Sequence, residues 1–256
     1  MGHVATHTRV VSALLVREME ARFGNKPGGY VWAFLDPAAN VALLTLIFQA
    51  IARAPPLGTS FPLFFGTGYI GFQFYQAMAT YLNGAVRANK SLLNYPNVAP
   101  VDTIVARYIL QLVTTVAVAV VVMSVIIATM RVPPEISWPP IIEAAFIASI
   151  LGLGVGLSNN VLFIKYPLYE KVYAIISRPI YLISGVFFLP DAIPHPYKDI
   201  VLLNPLIHVT MHFRTGFYDE YRALGLDINY AYGFAFLTFF FGMVLFSMSS
   251  AVLRNE

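Results

Sequence analysis

Long uncharged runs alternate with short charged segments along almost the whole chain. A helix needs about 20 apolar residues to cross the hydrocarbon core of a bilayer. Stretches close to or above this length, with at most one charge inside, predict membrane-spanning helices. These lie at about 31–52, 61–86, 104–130, 141–164, 172–189 and 228–253. The pattern therefore predicts an all-α integral membrane protein with six spans.

The segment between the fifth and sixth predicted spans is apolar but too short to cross the bilayer. Residues 200–213 carry no charge, and three prolines interrupt the chain just before them. A crossing here would leave His208 and His212 in lipid. Irregular backbone at membrane depth is tolerated only where protein or water surrounds it. We therefore predict a re-entrant helical hairpin at 190–214 that lines the outer mouth of a pathway. Its key residues are Pro190, Asp191, Pro194, Asn204, Pro205 and Arg214.

An amphipathic segment precedes the first predicted span. Between residues 9 and 23, apolar side chains recur at helical spacing, and the charged residues lie mostly elsewhere around the helix. Such a helix lies in the membrane surface rather than across it. We assign residues 1–28 to a cytoplasmic amphipathic interface helix and residues 29–256 to the transmembrane domain. The helix is either a plain anchor or a docking surface for a cytoplasmic partner.

Two further segments predict local structure. The inner loop at 87–102 reads as one short helix that Pro96 and Pro100 stop. In the fourth predicted span, Gly152 and Gly156 stand one helical turn apart. This spacing favours close packing against another helix over a dinucleotide-binding loop, which would require a preceding strand.

Composition and charge favour a membrane protein with both termini in the cytoplasm. Charged residues make up 11% of the chain, against about 25% in soluble domains. With the N-terminus inside, the inner segments hold eleven of the 16 Lys and Arg residues and the outer segments hold five. Cytoplasmic loops are the ones enriched in these residues. Because the basic side chains are spread over several loops, we expect no nucleic-acid partner. The absence of cysteine excludes disulfides and thiol chemistry.

The sequence carries no convincing catalytic, nucleotide or metal site. The segment GAVRANKS resembles a phosphate-binding loop, but Asn89 stands where the second glycine is required. In HVTMH, Val209 follows the first histidine, where a zinc protease requires a glutamate. We interpret His208 and His212 as interfacial histidines. We expect neither enzyme activity nor a cofactor on this chain.

Arg178 is a charge inside an otherwise apolar span. An arginine at membrane depth costs at least ~2.5 kcal/mol, so it usually faces a cavity or a partner. Counted from a span that starts near Val172, it lies close enough to the inner surface for its side chain to snorkel there. Two interpretations stay open: Arg178 snorkels or pairs structurally, or it faces a substrate.

Three segments together resemble the membrane subunits of ABC-2-type exporters, particularly the capsular-polysaccharide branch (KpsM-like). RFGNKPGGYVWAFLDP is similar to that family's segment before and into the first span, NKSLLNYPNVAP to its coupling loop, and LNPLIHVTMHFR to its outer re-entrant segment. Their order and the six-span layout fit nearly the whole chain. The matching residues are Arg22, Phe23, Gly29, Trp32, Pro37, Asn89, Leu92, Pro96, Pro100, Asn204, Pro205 and Arg214.

The resemblance implies a homodimer in the inner membrane, bound to two ATP-binding cassette ATPases that carry the ATP and magnesium. A lipid-linked, acidic polysaccharide would pass between the protomers along spans one and five, and a periplasmic co-polymerase or adaptor would continue the conduit. The implied ATPase-coupling residues are Arg17, Arg22, Phe23, Arg87, Asn89, Lys90, Leu92, Leu93 and Pro96. The implied substrate-path residues are Trp32, Asp36, Tyr69, Phe72, Tyr75, Arg178, Tyr181, Phe187 and Phe188.

Other functions stay open at this stage. An ABC-2 exporter of this kind could instead carry O-antigen, teichoic acid or a drug. A secondary transporter would favour paired titratable groups at the membrane midplane and matching halves. Here Asp36, Glu143 and Arg178 all lie near the ends of predicted spans. A membrane-embedded glycosyl- or phosphotransferase would require an acidic metal cluster at one interface, and the sequence suggests none.

Overall fold

The computed structural model describes residues 2–24, 28–95, 97–250 and 253, and the side chains of these residues apart from 2–6 and Phe23. Across these ranges the chain forms helices joined by turns, without a strand. Short 3₁₀ turns lie at Lys90–Leu92 and Pro190–Ala192, and a π-helical turn lies at Glu20–Gly24. The α-helices are α1 (Gly2–Met19), α2 (Val31–Ile51), α3 (Phe61–Leu82), α4 (Ala85–Ala88), α5 (Pro100–Ala128), α6 (Trp138–Lys165), α7 (Pro167–Leu182), α8 (Tyr197–Leu202), α9 (Pro205–Thr215) and α10 (Ile228–Met248).

α3 is the central helix of the bundle. Most of its residues are buried, and it packs against α2, α5, α6 and α9. Its start is well defined, because Ser60 Oγ accepts a hydrogen bond from the Leu63 backbone N–H (3.4 Å) and Pro62 stands in the first turn. The main hydrophobic core is therefore built around α3, with aromatic residues of this helix at its centre.

α6 packs closely on both α3 and α10, because glycines line it where these helices cross. A Cβ atom added to Gly152 would lie 2.8 Å from the Tyr75 carbonyl oxygen of α3. One added to Gly156 would collide with the Leu82 side chain, and one added to Gly154 would lie 2.6 Å from the Phe239 backbone nitrogen of α10. The close packing predicted from Gly152 and Gly156 is confirmed.

Four helices of the described chain are long and apolar enough to cross a membrane: α2, α5, α6 and α10. The other two predicted spans correspond to α3 and α7, which do not meet this standard. In α3, Gln73, Gln76 and several glycines and tyrosines lower the mean hydropathy, although the helix contains no Asp, Glu, Lys or Arg. α7 has only 16 residues and includes Glu170 and Lys171.

The chain after α7 turns back on itself in short pieces. α7 ends at Leu182, earlier than the predicted end of this span at residue 189, and Gly185 follows with a positive φ of 77°. The stretch at 200–213 is not one helix, because it breaks at Asn204 between α8 and α9. Asn204 caps α9, since its Oδ1 accepts a hydrogen bond from the Leu206 N–H (3.0 Å). α9 is buried against α6, α3 and α10.

The loop after α3 differs from its prediction as a single helix. Gly84 adopts a left-handed conformation (φ 69°), and α4 and the 3₁₀ turn at Lys90–Leu92 follow as two separate pieces. Pro100 does not stop a helix but begins α5, where a missing N–H costs no helical hydrogen bond. Pro96 lies outside the described residues.

Candidate functional site

A buried carboxylate joins α1 to the loop after α3 and to α5. Glu18 Oε1 accepts hydrogen bonds from Asn89 Nδ2 (2.7 Å) and Arg107 Nε (2.9 Å), and Glu18 Oε2 accepts one from the Tyr81 hydroxyl (3.0 Å). The side chains of Glu18 and Arg107 are 8% and 12% exposed. Because little solvent screens them, their attraction is stronger than that of a surface pair. We call Glu18, Tyr81, Asn89 and Arg107 the Glu18 node.

The node keeps Glu18 ionised in spite of its burial. Burial alone would raise the pKa of Glu18, because the charged form loses its hydration. The hydrogen bonds from Asn89, Arg107 and Tyr81, together with the charge of Arg107, outweigh this effect and lower the pKa below its ordinary value. The node is therefore a charged, fully paired cluster at neutral pH.

Several predicted coupling residues surround this node. Arg17 Nη1 donates to Asn89 Oδ1 (2.9 Å), and Arg22 Nη1 donates to Gln111 Oε1 of α5 (2.6 Å). The guanidinium of Arg22 also lies 4.2 Å from the centre of the Tyr81 ring. The predicted residues Arg17, Arg22 and Asn89 thus come together, whereas Pro96 and the side chain of Phe23 lie outside the described residues.

The loop itself is pinned to α6 and leaves basic side chains outward. Asn160 Nδ2 donates to the Leu82 carbonyl (2.7 Å), and Asn160 Oδ1 accepts from the Val86 N–H (3.1 Å). Leu93 is buried and Leu92 half-buried, so both anchor the loop inward. The remaining predicted residues, Arg87 and Lys90, are exposed, and Arg87 pairs weakly with Glu170 of α7 (3.5 Å).

Sequence reasoning missed the centre of this cluster. Glu18 was expected to face away from the apolar stripe of the interface helix, yet it is buried one turn after Leu14, on the same face. Arg107 and Tyr81 were not singled out in the sequence. The available signal was the position of Glu18, four residues after the apolar Leu14 and thus on the same helix face. The partners of Glu18 lie more than 60 positions away in the sequence.

A second candidate site is a cavity of about 320 Å³ that opens between α2, α3 and α7. Tyr181 of α7 packs on α3, with its ring centre 5.2 Å from that of Phe72 and 6.3 Å from that of Tyr69. We call this space the lateral cavity. Its lining consists of Asn40, Tyr69, Phe72, Gln73, Gln76, Ser177, Arg178 and Tyr181.

The predicted substrate-path residues fall into three groups. Tyr69, Phe72, Arg178 and Tyr181 line the lateral cavity. Trp32 and Asp36 line a separate cavity of about 140 Å³, which shares Gln73 with the first. Phe187 extends the aromatic cluster, with its ring 5.0 Å from Tyr181, whereas Tyr75 is buried and Phe188 is half-buried. Asn40, Gln73, Gln76 and Ser177 of the lateral cavity were not singled out in the sequence.

Arg178 lies deeper in its helix than the sequence pattern suggested. α7 begins at Pro167 rather than near Val172, so Arg178 stands about 16 Å along the helix from its start. Its side chain is exposed at the lateral cavity and has no hydrogen-bond or ion-pair partner among the described residues. Arg178 therefore lies at an open space lined by polar and aromatic side chains.

Among the predicted hairpin residues, Arg214 is completely buried and binds the turn after α7. Its Nη1 donates to the Gly185 carbonyl (2.6 Å) and its Nη2 to the Val186 carbonyl (3.0 Å), and the guanidinium lies 4.2 Å from the centre of the Phe64 ring. Asn204 Nδ2 donates to the Ile183 carbonyl (3.1 Å). These bonds tie α9 to the turn after α7.

The other predicted hairpin residues lie at the surface or support its turns. Pro190 is buried at the start of its 3₁₀ turn, and Pro205 stands in the first turn of α9. Asp191 pairs with Lys198 (3.2 Å), and Pro194 is exposed. Pro190 and Pro205 therefore shape helical turns, and Asp191 makes a local ion pair.

The two histidines of α9 have protein partners. His208 Nε2 lies 2.8 Å from the Leu202 carbonyl, and its Nδ1 accepts a hydrogen bond from the Asp227 N–H (3.0 Å). His212 Nε2 lies 2.8 Å from Glu143 Oε2. Within the described residues, no group of three or more His, Asp or Glu side chains is placed to hold a metal ion.

Comparisons with known proteins identify the family and several relatives of this chain. Residues 9–218 match the family described as ABC-2 type transporter. The chain is 34% identical over 236 residues to the polysialic acid transport protein KpsM of Escherichia coli, covering 92% of each chain. It is 29% identical to the capsule polysaccharide export inner-membrane protein CtrC of Neisseria meningitidis, covering 83% of this chain and 80% of CtrC. It is 28% identical to the capsule polysaccharide export inner-membrane protein BexB of Haemophilus influenzae, covering 87% of this chain and 85% of BexB.

Proposed function

Because the chain belongs to the ABC-2 type transporter family, we propose that it is the permease subunit that moves a lipid-linked, acidic capsular polysaccharide across the inner membrane. The similarity to a polysialic acid transport protein and to capsule export proteins, over more than 80% of the chain, carries this proposal. The lateral cavity supports it, because amides, tyrosines and an arginine suit an acidic sugar chain.

We assign ATP hydrolysis to two separate ATP-binding cassette subunits, which hold the ATP and magnesium and dock on the cytoplasmic face. The Glu18 node supports this assignment, since it links α1, the loop after α3 and α5 through buried polar bonds. A force applied to α1 or to the loop is therefore passed to a membrane helix. Arg17, Arg87 and Lys90 are exposed beside the node and available to an acidic partner surface.

We further propose six spans with both termini in the cytoplasm, which adds α3 and α7 to the four strongly apolar helices. α3 is surrounded by other helices, so its side chains need not be as apolar as those that face lipid. α9 has 11 residues, about 16 Å of helix, which is too short to cross a hydrocarbon core of about 30 Å. Residues 190–214 then form a re-entrant hairpin on the outer side.

Two helices that the rest of the protomer covers only slightly suit a homodimer in which the polymer passes between the protomers. α7 has no buried residue in the protomer, and α2 leaves large apolar side chains such as Leu43 and Leu46 exposed. The lateral cavity lies between these two helices, where a second copy would close it. On the outer side, Tyr197 and Ile200 of α8 and the following Leu203 are exposed, a surface suited to a periplasmic co-polymerase or adaptor.

Complementation of a capsule-deficient strain tests the function. A Gram-negative host that makes an acidic capsule loses its own permease gene and receives this chain together with its ATPase partner. We expect surface polysaccharide to return, measured with a capsule-specific antibody on intact cells. As a control, an ATPase partner with its Walker lysine replaced should leave the polysaccharide inside the cell.

The same experiment separates the alternatives. Restoration of O-antigen or teichoic acid but not capsule would assign the chain to another substrate of the family. Export that persists with the inactive ATPase would overturn the ATP-driven mechanism and favour a secondary transporter.

A further inference from the structure

We propose that the lateral cavity is a binding subsite for one acidic sugar unit, in which Asn40, Gln73 and Gln76 act with Arg178 as specificity-determining residues. This inference rests on the proposed function and adds a site, a set of residues and a chemical class of ligand to it. The amide residues were not expected from the sequence. They place hydrogen-bonding groups inside membrane helices, where such groups are rare.

The polar side chains of the cavity come from three helices at similar depth. Asn40 lies near the middle of α2, Gln73 and Gln76 lie in the inner half of α3, and Arg178 lies past the middle of α7. Polar and charged groups in membrane segments are costly unless they meet protein, water or a ligand. Their convergence on one space of about 320 Å³ is the arrangement expected of a polar binding site.

The hydrogen bonds of the amides leave their acceptor atoms available. Gln73 Nε2 donates to the Tyr69 hydroxyl (2.7 Å), Gln76 Nε2 donates to Thr80 Oγ1 (3.3 Å), and Asn40 Nδ2 donates to the Asp36 carbonyl (3.0 Å). Each of these bonds fixes the amide through its nitrogen. The three carbonyl oxygens, which receive no hydrogen bond from a described residue, can accept from sugar hydroxyls.

The remaining lining selects an acidic sugar over other ligands. Arg178 offers a planar set of donors that fits a carboxylate bidentately. The half-buried ring of Tyr181, which packs on the buried rings of Tyr69 and Phe72, provides an apolar face for the C–H groups of a sugar ring. A lipid chain would leave the amides and the cation unpaired, and a simple anion would not use the rings. The volume lies at the small end of ligand sites, about 300–1,000 Å³, and suits a single sugar unit.

Direct binding by the full chain in lipid nanodiscs tests the subsite. The probes are a tetramer of sialic acid and the neutral tetramer maltotetraose. We expect the wild-type chain to prefer the acidic probe. Arg178→Gln should weaken binding of the acidic probe about tenfold or more, as expected for a lost charged hydrogen bond, and leave the neutral probe unchanged. Gln76→Met should weaken both probes about threefold to tenfold.

Thr80→Val is the matched control. Thr80 is exposed and is not part of the cavity lining, but it accepts the hydrogen bond of Gln76. If Gln76 acts only by supporting α3, Thr80→Val should reproduce the effect of Gln76→Met. If Gln76 contacts the sugar, Thr80→Val should weaken binding much less than Gln76→Met, because the amide itself remains in the cavity.

The outcomes separate this inference from the proposed function. Equal affinity of the wild-type chain for both probes, or unchanged affinity in both Arg178→Gln and Gln76→Met, overturns the subsite, even when the chain restores capsule in the complementation strain. Failure of the wild-type chain to restore any surface polysaccharide overturns the function itself, whatever the binding data show.

Discussion

At the scale of single residues, Glu18 holds α1 on the rest of the chain through its bonds to Tyr81, Asn89 and Arg107. We expect Glu18→Gln to lower the free energy of unfolding by about 3 kcal/mol, because Arg107 is left as a nearly buried cation without its carboxylate. Thermal unfolding in detergent and protease cleavage of α1 would measure the loss. Glu20→Gln is the matched control, since Glu20 is exposed two residues further on. An equal effect of both variants would contradict a special role for Glu18. Because the pKa of Glu18 is below its unfolded-state value, the contribution is complete at neutral pH and is lost as the pH falls through the folded-state pKa.

At the scale of elements, the short turn at Lys90–Leu92 connects the rest of the loop after α3 to the Glu18 node. The Leu92 N–H donates to the Asn89 carbonyl (2.9 Å), and Asn89 itself binds Glu18. We expect Leu92→Pro to abolish export while membrane insertion stays normal, because proline removes this donor and its ring clashes with the preceding turn. Leu92→Ala is the control, since it keeps the N–H. Surface capsule and membrane-fraction blots measure the two effects, and export that survives Leu92→Pro would remove the loop from the coupling path.

The helices themselves show where sequence reasoning reached its limit. The apolar runs located α2, α5, α6 and α10. A helix that crosses a bilayer must be long and apolar, and both properties can be seen directly in the sequence. α7 begins five residues before the predicted span at 172–189, because Glu170 and Lys171 continue the helix although they end the uncharged run. The Glu18 node and the amides of the lateral cavity escaped prediction for another reason. Each depends on which distant helices meet, and helical spacing within one segment does not contain that information.

At the scale of the whole molecule, the chain has no cysteine, so single-cysteine variants report its topology cleanly. We expect cysteines at His195 and Asp219, both exposed, to react with a membrane-impermeant thiol reagent added outside intact spheroplasts. A cysteine at the exposed Asn94 should react only after permeabilisation. Labelling of the Asp219 position only from the cytoplasmic side would mean that residues 200–213 cross the membrane, and the re-entrant hairpin would be wrong.

The glycines of α6 also have a mechanical consequence. On one side, Gly152 and Gly156 bring the α6 backbone against α3, and on the other side Gly154 brings it against α10. Such close contacts restrict sliding and tilting, because a shift at Gly152 or Gly154 meets main-chain atoms rather than adaptable side chains. α3, α6 and α10 are therefore expected to move as one rigid block. In the proposed transport cycle, the movement would fall to α2 and α7, which pack less extensively on this block.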